Sequence, residues 1–231
     1  MNNKNISKRI FRKTVKLLSL QAKIKIDGYL TKKEEKEFNL NFFEKIDGWF
    51  SAREGIALFR LASKFPKKSI IVEIGAWKGK STYSLACGID KSTKFFTIDP
   101  FDASGDKQSE EVYDKNKGKR PLYDQFAQNM KKGGVFNKIK VLNGYSEDFK
   151  NKFQKIDLLF IDANHSTKNC LFDFETYSRF IPVGGYIAFH DYYSENRDKG
   201  PTWVIENKVL PSGSWKFISL HDYLWIGKRI K

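Results

Sequence analysis

The sequence predicts an α/β fold: a doubly wound, mostly parallel sheet with helices on both faces. Three observations carry this. Apolar runs of strand length recur over residues 70–74, 94–99, 139–142, 156–161 and 186–189. Helical patterns separate most of them, and a strand that returns parallel through a helix needs such a crossover. Several runs also deliver a carboxylate or an imidazole at their carboxyl end, where open α/β sheets place their ligands.

Each element has its own local signal. Ile70-Ile71-Val72-Glu73-Ile74 is β-branched apart from Glu73, and the run from Ser81 to Ala86 begins a helix with Ser81 or Thr82 in its first turn. Lys94-Phe95-Phe96-Thr97-Ile98-Asp99-Pro100 forms a second strand. Residues 102–120 are polar, rich in Lys, Asp and Gly and without periodicity, so a long surface loop is expected there, of a length that often serves as a lid. Phe126 and Met130, followed by Gly133-Gly134, mark a helix from Leu122 and its stop. A third strand runs from Ile139 to Leu142 and a fourth from Ile156 to Ile161; a helix from Asn169 to Arg179 leads through Pro182 and Gly184-Gly185 into a fifth, Tyr186 to Phe189. Gly200 to Ile205 reads as the start of a helix on the sheet, with Trp203 in the core.

Composition bounds the functional classes. At 231 residues the chain suits one domain with a full core, and no run of 18 apolar residues is present to span a membrane. Cys87 and Cys170 sit in apolar stretches, where a small core residue is the simpler reading than a nucleophile; they form no disulfide framework and fit a reducing, cytoplasmic compartment. The net charge is +15, yet residues 1–36 hold eleven Lys/Arg against three acids, a net +8, so more than half of the excess lies in one segment. Ile6, Ile10, Phe11, Val15, Leu17, Leu18 and Leu20 recur there at near-helical spacing among basic residues. Residues 1–50 are therefore expected as a basic amphipathic helical segment ahead of a main domain at 51–231. Such a helix can lie on an anionic membrane surface, making the protein membrane-peripheral, or contact phosphates. It can equally cover the domain's own core or a partner subunit in a homo-oligomer. No aromatic-basic recognition module accompanies the charge, which argues against nucleic acid as the main partner. A nucleic-acid-binding protein using the basic tail on RNA is the alternative from a different class.

The turn after the first strand is the most specific motif. Glu73-Ile74-Gly75-Ala76-Trp77-Lys78-Gly79-Lys80-Ser81 spaces its glycines four apart. A dinucleotide fingerprint needs G-x-G-x-x-G and a phosphate loop G-x-x-x-x-G-K-[ST], so neither fits. The pattern E-x-G-x-x-x-G-x-[ST] instead resembles the first motif of class I S-adenosylmethionine (SAM)-dependent methyltransferases. That resemblance implies a seven-stranded Rossmann-like sheet, a SAM cofactor, and cofactor contacts from Glu73, Gly75, Ala76, Trp77, Gly79 and Ser81. It also implies an adenine contact near Ser146 or Glu147, residues that otherwise read as a turn and helix cap. Asp99, about 25 residues beyond the turn, can accept from a ribose diol or simply cap the turn before Pro100.

Two further strand ends complete the candidate site. The fourth strand delivers Asp162-Ala163-Asn164-His165, and the fifth delivers His190-Asp191-Tyr192-Tyr193. The segments LLFIDANHS and GGYIAFHDYY are similar to the methyltransferase branch that includes cephalosporin-type and macrolide-sugar O-methyltransferases (methyltransferase family 24-like), over residues 55–228. The resemblance implies O-methylation of a small-molecule or sugar hydroxyl. It places Asp162 and Asp191 at metal-ligand positions, with His190 where the family usually has an acid, giving an Asp162, His190, Asp191 set for Mg²⁺ or, because of the imidazole, Mn²⁺. Asp162 also stands among the cofactor contacts. The proton-accepting candidates are His165, Asp162 and His190. Residues 219–227 look like the family's last strand, with His221 facing either the site or solvent.

Overall fold

The computed structural model describes residues 30–105, 110–195 and 198–231. The amphipathic pattern from Ile6 to Leu20 lies outside the described residues. Helices α1 (Glu34–Glu37), α2 (Leu40–Lys45) and α3 (Ala52–Ala62) precede strand β1 (Ile70–Ile74). There follow α4 (Lys80–Gly88), β2 (Lys94–Asp99), α5 (Glu110–Lys117), α6 (Leu122–Lys132), β3 (Ile139–Asn143), β4 (Leu158–Ile161), α7 (Thr167–Tyr177), β5 (Tyr186–Phe189), α8 (Gly200–Val204), β6 (Trp215–His221) and β7 (Leu224–Arg229).

The strands form one seven-stranded sheet in the order β3-β2-β1-β4-β5-β7-β6. Neighbours from β3 to β5 run parallel, while β7 pairs antiparallel with both β5 and β6. The chain winds outward from β1 to β3 and then crosses to β4 on the other side of β1. This switch leaves a crevice at the carboxyl ends of β1 and β4. Register sets the depth of the rim: Ile74 pairs with Ile98 and Ile161, and Ile161 pairs with Phe189. The next residue of each strand, Gly75, Asp99, Asp162 and His190, therefore emerges at one level.

Period-two alternation divides the core between the two faces. Ile71, Leu158 and Phe160 join one buried cluster, which includes residues of α2, α3, α4 and α6. Val72, Leu159 and Ile161 join the other, with Phe174 and Tyr177 of α7 and Val204 of α8. The first cluster includes Phe38, Phe43, Ile46 and Phe50, so it crosses residues 50 and 51 without a break. Phe38 and Phe43 are wholly buried, worth about 1.5–3 kcal/mol each relative to exposure. Arg60 grips Glu34 with two hydrogen bonds of 2.7 and 3.0 Å and ties α1 to α3.

Two expectations need correction. The loop at 102–120 contains α5, an eight-residue helix so polar that it shows no apolar periodicity. The single strand expected over 219–227 is a hairpin: β6 and β7 meet at Asp222-Tyr223, where Asp222 takes φ 49°. His221 thus belongs to edge strand β6. Trp203 packs half-buried against the second cluster, as expected. Burial pushes both cysteine thiols up, Cys87 to about 11, which leaves them inert at neutral pH.

Candidate active site

A cavity of about 1030 Å³ opens at the carboxyl ends of β1, β2, β4 and β5. Its floor is the turn after β1. Gly75 has φ 92°, and a Cβ there would lie 2.0 Å from the Asp162 carbonyl oxygen, so only glycine lets β1 and β4 approach so closely. Asp99 braces the turn: Oδ2 accepts from the amides of Ala76 (2.7 Å) and Trp77 (2.9 Å), and Oδ1 from that of Phe101 (2.6 Å). Burial raises the Asp99 pKa against these three donors. One lone-pair direction on Oδ1 is left for a ligand.

Glu73 and Gly79 play a different part from the cofactor contact expected of them. Neither is among the residues lining the cavity. Glu73 is wholly buried and accepts from Ser81 Oγ (2.7 Å), Thr82 Oγ1 (2.6 Å) and Thr97 Oγ1 (2.8 Å). It staples the start of α4 to β1 and β2, and burial raises its pKa to about 7. Gly79 caps α4 at φ 91° with Met130 and Phe126 of α6 packed on it. Ala76, Trp77 and Ser81 do line the cavity. Ser146 lines it as well, donating to Asp173 of α7. Burial lifts the Asp173 carboxyl to about 7.

The opposite wall gathers the four strand-end residues. His165 Nε2 stands 2.7 Å from Asp191 Oδ2. His190, 4% exposed, places Nδ1 3.1 Å from Asp162 Oδ1 and 3.4 Å from Asp191 Oδ2, and Nε2 3.3 Å from Glu54 Oε1. Glu54, 1% exposed, belongs to the first turn of α3, where it completes a capping box with Ser51. It also accepts from the Tyr223 amide (2.9 Å). Asp191 adopts φ 59°, a strained position for a non-glycine residue, and accepts from Tyr193 Oη at 2.8 Å.

Donor atoms of Asp162, His165 and Asp191 all lie within 4.8 Å of one another. This grouping has His165 where His190 was expected beside Asp162 and Asp191; the His190 ring lies between Glu54 and Asp162. Two carboxylates and an imidazole fit a divalent transition ion such as Mn²⁺ better than a pure oxygen set would.

Electrostatics push the two carboxyls apart. Burial raises Asp162 above the usual carboxylate range, only partly opposed by His190. Burial alone would raise Asp191 too, but hydrogen bonds from His165 and His190 hold it well below that range. Both imidazoles resist the lowering effect of burial: Asp191 raises His165, and Asp162 raises His190 well above its ordinary value. Asp191 is thus held ionised, while Asp162 is the carboxylate poised to take a proton.

Glu54, Asp173 and Trp49 escaped the sequence reading. The Ser51-x-x-Glu54 capping box was legible, but nothing local linked it to His190.

The methyltransferase-domain family model matches residues 72–192, a little over half of the chain. An uncharacterised protein of Acanthamoeba polyphaga mimivirus is 33% identical over 141 residues, which covers 58% of this chain and 57% of that relative. The chain therefore spans just over half the length of this curated relative. Among solved structures, the O-methyltransferase TomG from Streptomyces achromogenes, in complex with SAM, superposes with a TM-score of 0.59 at 16% identity, covering 88% of this chain and 92% of that one. An O-methyltransferase from Bacillus cereus, in complex with SAH, gives 0.59 at 17% identity with the same coverage.

Proposed function

Since the chain belongs to the methyltransferase-domain family, we propose that it is a SAM-dependent methyltransferase acting on a hydroxyl of a small molecule or sugar. The observation that carries the choice of oxygen is the convergence of Asp162, His165 and Asp191, with donor atoms within 4.8 Å of one another, beside a cavity large enough for cofactor and acceptor. SAM, when bound, supplies an electrophilic methyl group. The Gly75-Ala76-Trp77 turn, fixed by Asp99, would hold its amino-acid end, and Ser146 with Glu147 would hold the adenine end.

Asp162 accepts the proton of the acceptor hydroxyl as the oxygen attacks. His190, itself held by Glu54, keeps the Asp162 carboxylate in place. Asp162, His165 and Asp191 are also the residues that would hold a divalent cation, which would lower the acceptor's pKa and fix its direction. His165 Nε2, 2.7 Å from Asp191 Oδ2, orients that carboxylate at the same rim. Much of the acceleration comes from holding donor and acceptor in line.

Among the described residues no helix is long and apolar enough to cross a membrane. The test begins with isothermal titration of the full chain with SAM and SAH, with and without Mn²⁺ or Mg²⁺. Micromolar binding, with tighter SAH binding or turnover in the presence of metal, is the expected result. Absence of SAM and SAH binding under every condition would remove this reading.

A further inference from the structure

Three aromatic rings from three separate segments meet at the mouth of the cavity. Trp49 follows α2, Trp77 belongs to the turn after β1, and Tyr113 lies on α5. Their ring centroids are 5.4 Å (Trp49–Trp77), 5.2 Å (Trp49–Tyr113) and 5.3 Å (Trp77–Tyr113) apart. All three line the cavity, and Trp49 keeps 51% of its surface exposed. An indole left half in water at the edge of a deep cavity is apolar area that the fold has not used.

A clamp centred on the buried Lys78 side chain ties the three segments together. Lys78 Nζ is 2.6 Å from Asp47 Oδ2 and 2.6 Å from the Asn116 carbonyl oxygen, with 9% of its side chain exposed. Each clamp residue lies within three positions of one ring: Asp47 of Trp49, Lys78 of Trp77, Asn116 of Tyr113. Trp77 adopts φ 50°, a rare conformation for a bulky side chain, which turns the ring toward the other two. The wall also adjoins the polar centre, because Phe50, next to Trp49, packs its ring 4.8 Å from that of His190.

Volume points the same way. About 1030 Å³ sits at the upper end of the ~300–1,000 Å³ typical of a single drug-sized site, leaving space beyond the cofactor. We propose that Trp49, Trp77 and Tyr113 form the acceptor-recognition wall, on which an acceptor carrying a ring with an apolar C–H or π face stacks. The proposal rests on the methyltransferase reading and deepens it. A glycosyl ring and a phenolic ring share this chemistry, since both present C–H or π surface to an indole. An acyclic polyol does not.

The test uses the full chain saturated with SAH. Binding of methyl glucoside, of a dihydroxybenzene and of acyclic sorbitol is measured by ligand-observed NMR titration. One ring-bearing probe is expected to bind at least tenfold more tightly than sorbitol. Trp49→Ala and Tyr113→Ala are each expected to weaken that probe roughly two- to tenfold while leaving SAM affinity unchanged. Lys78→Met keeps all three rings and is expected to weaken the ring probe as well. The arm that binds separates a sugar acceptor from a phenolic one. Sorbitol binding as tightly as the ring probes, failure of both ring probes to saturate, or wild-type probe affinity in Trp49→Ala and Tyr113→Ala would each overturn the wall. Loss of SAM binding by the unmodified chain would overturn the methyltransferase reading instead, so the two failures are separable.

Discussion

The two sides of the cavity are built on different principles. On the β1–β2 side the buried polar groups are satisfied within the scaffold: Glu73 takes three hydroxyl donors and Asp99 three backbone amides. On the β4–β5 side four charged groups crowd together, Asp191 is strained, and Glu54 reaches in from α3. The first side is a rigid turn whose polar groups are already satisfied by its own scaffold. The second keeps its protons in dispute between carboxylates and imidazoles, the condition for moving one to or from a substrate.

Breaking the rigid side should have the largest effect. Gly75→Val puts a branched side chain where a Cβ alone would lie 2.0 Å from the Asp162 carbonyl oxygen, at a φ of 92°. Strain of several kcal/mol is expected. Calorimetric titration should show SAM binding lost, and thermal denaturation a lowered midpoint. Wild-type SAM affinity in this variant would mean that the turn is not the cofactor seat.

Breaking the reactive side should spare binding and cost turnover. Asp162→Asn removes the proton acceptor but keeps the shape, so methyl transfer, followed as SAH release, should fall about 10²–10⁴-fold with SAM affinity within a factor of a few of wild type. Full turnover in this variant would exclude Asp162 as the base.

Acidity sharpens the contrast. Burial raises the Glu73 pKa from an ordinary 4.5 to about 7 in the folded chain. Between those values the folded chain holds more protons than the unfolded one, so stability is greatest below about pH 4.5 for this group and declines as pH rises toward 7. The loss from this buried group is about 3 kcal/mol. Asp173, also raised to about 7, adds a slope of the same sign. Urea denaturation at pH 5 and 7.5 should show Glu73→Gln with a shallower pH dependence than wild type; an unchanged slope would mean that Glu73 is ionised in the folded state.

The smallest effect on stability belongs to the cavity mouth. Trp49→Ala removes a half-exposed ring, so its midpoint in denaturant should shift by no more than about 1 kcal/mol, in contrast with the affinity change for a ring probe.

Legibility in the sequence follows the same division. The strand β1, its glycine turn and the apolar runs of β2, β4 and β5 were readable because each signal is complete within about ten residues. The helix α5 was not, because Val112 and Tyr113 are its only apolar residues and stand adjacent, which leaves no helical period to detect. The single strand expected over 219–227 hid a reversal that the chain makes at Asp222, a residue with no glycine or proline beside it to mark the turn. His190 was placed among the metal ligands because it stands where the resembled family usually has an acid. Its ring, 4% exposed, lies between the buried Glu54 carboxylate, 3.3 Å from Nε2, and Asp162, 3.1 Å from Nδ1.

By itself the sequence determined the α/β fold, the rim at which Asp162, His165, His190 and Asp191 emerge, and the turn built on Gly75. These depend on side-chain period and on backbone conformations available to single residues. Only the tertiary structure decided how the two imidazoles share Asp162 and Asp191, that Glu54 supports the centre, and that Trp49, Trp77 and Tyr113 converge. Those outcomes depend on contacts between distant parts of the chain, such as Glu54 with Tyr223, 169 residues apart. Such contacts form only when burial of the core brings α3, the cofactor turn, α5 and the strand ends into one place.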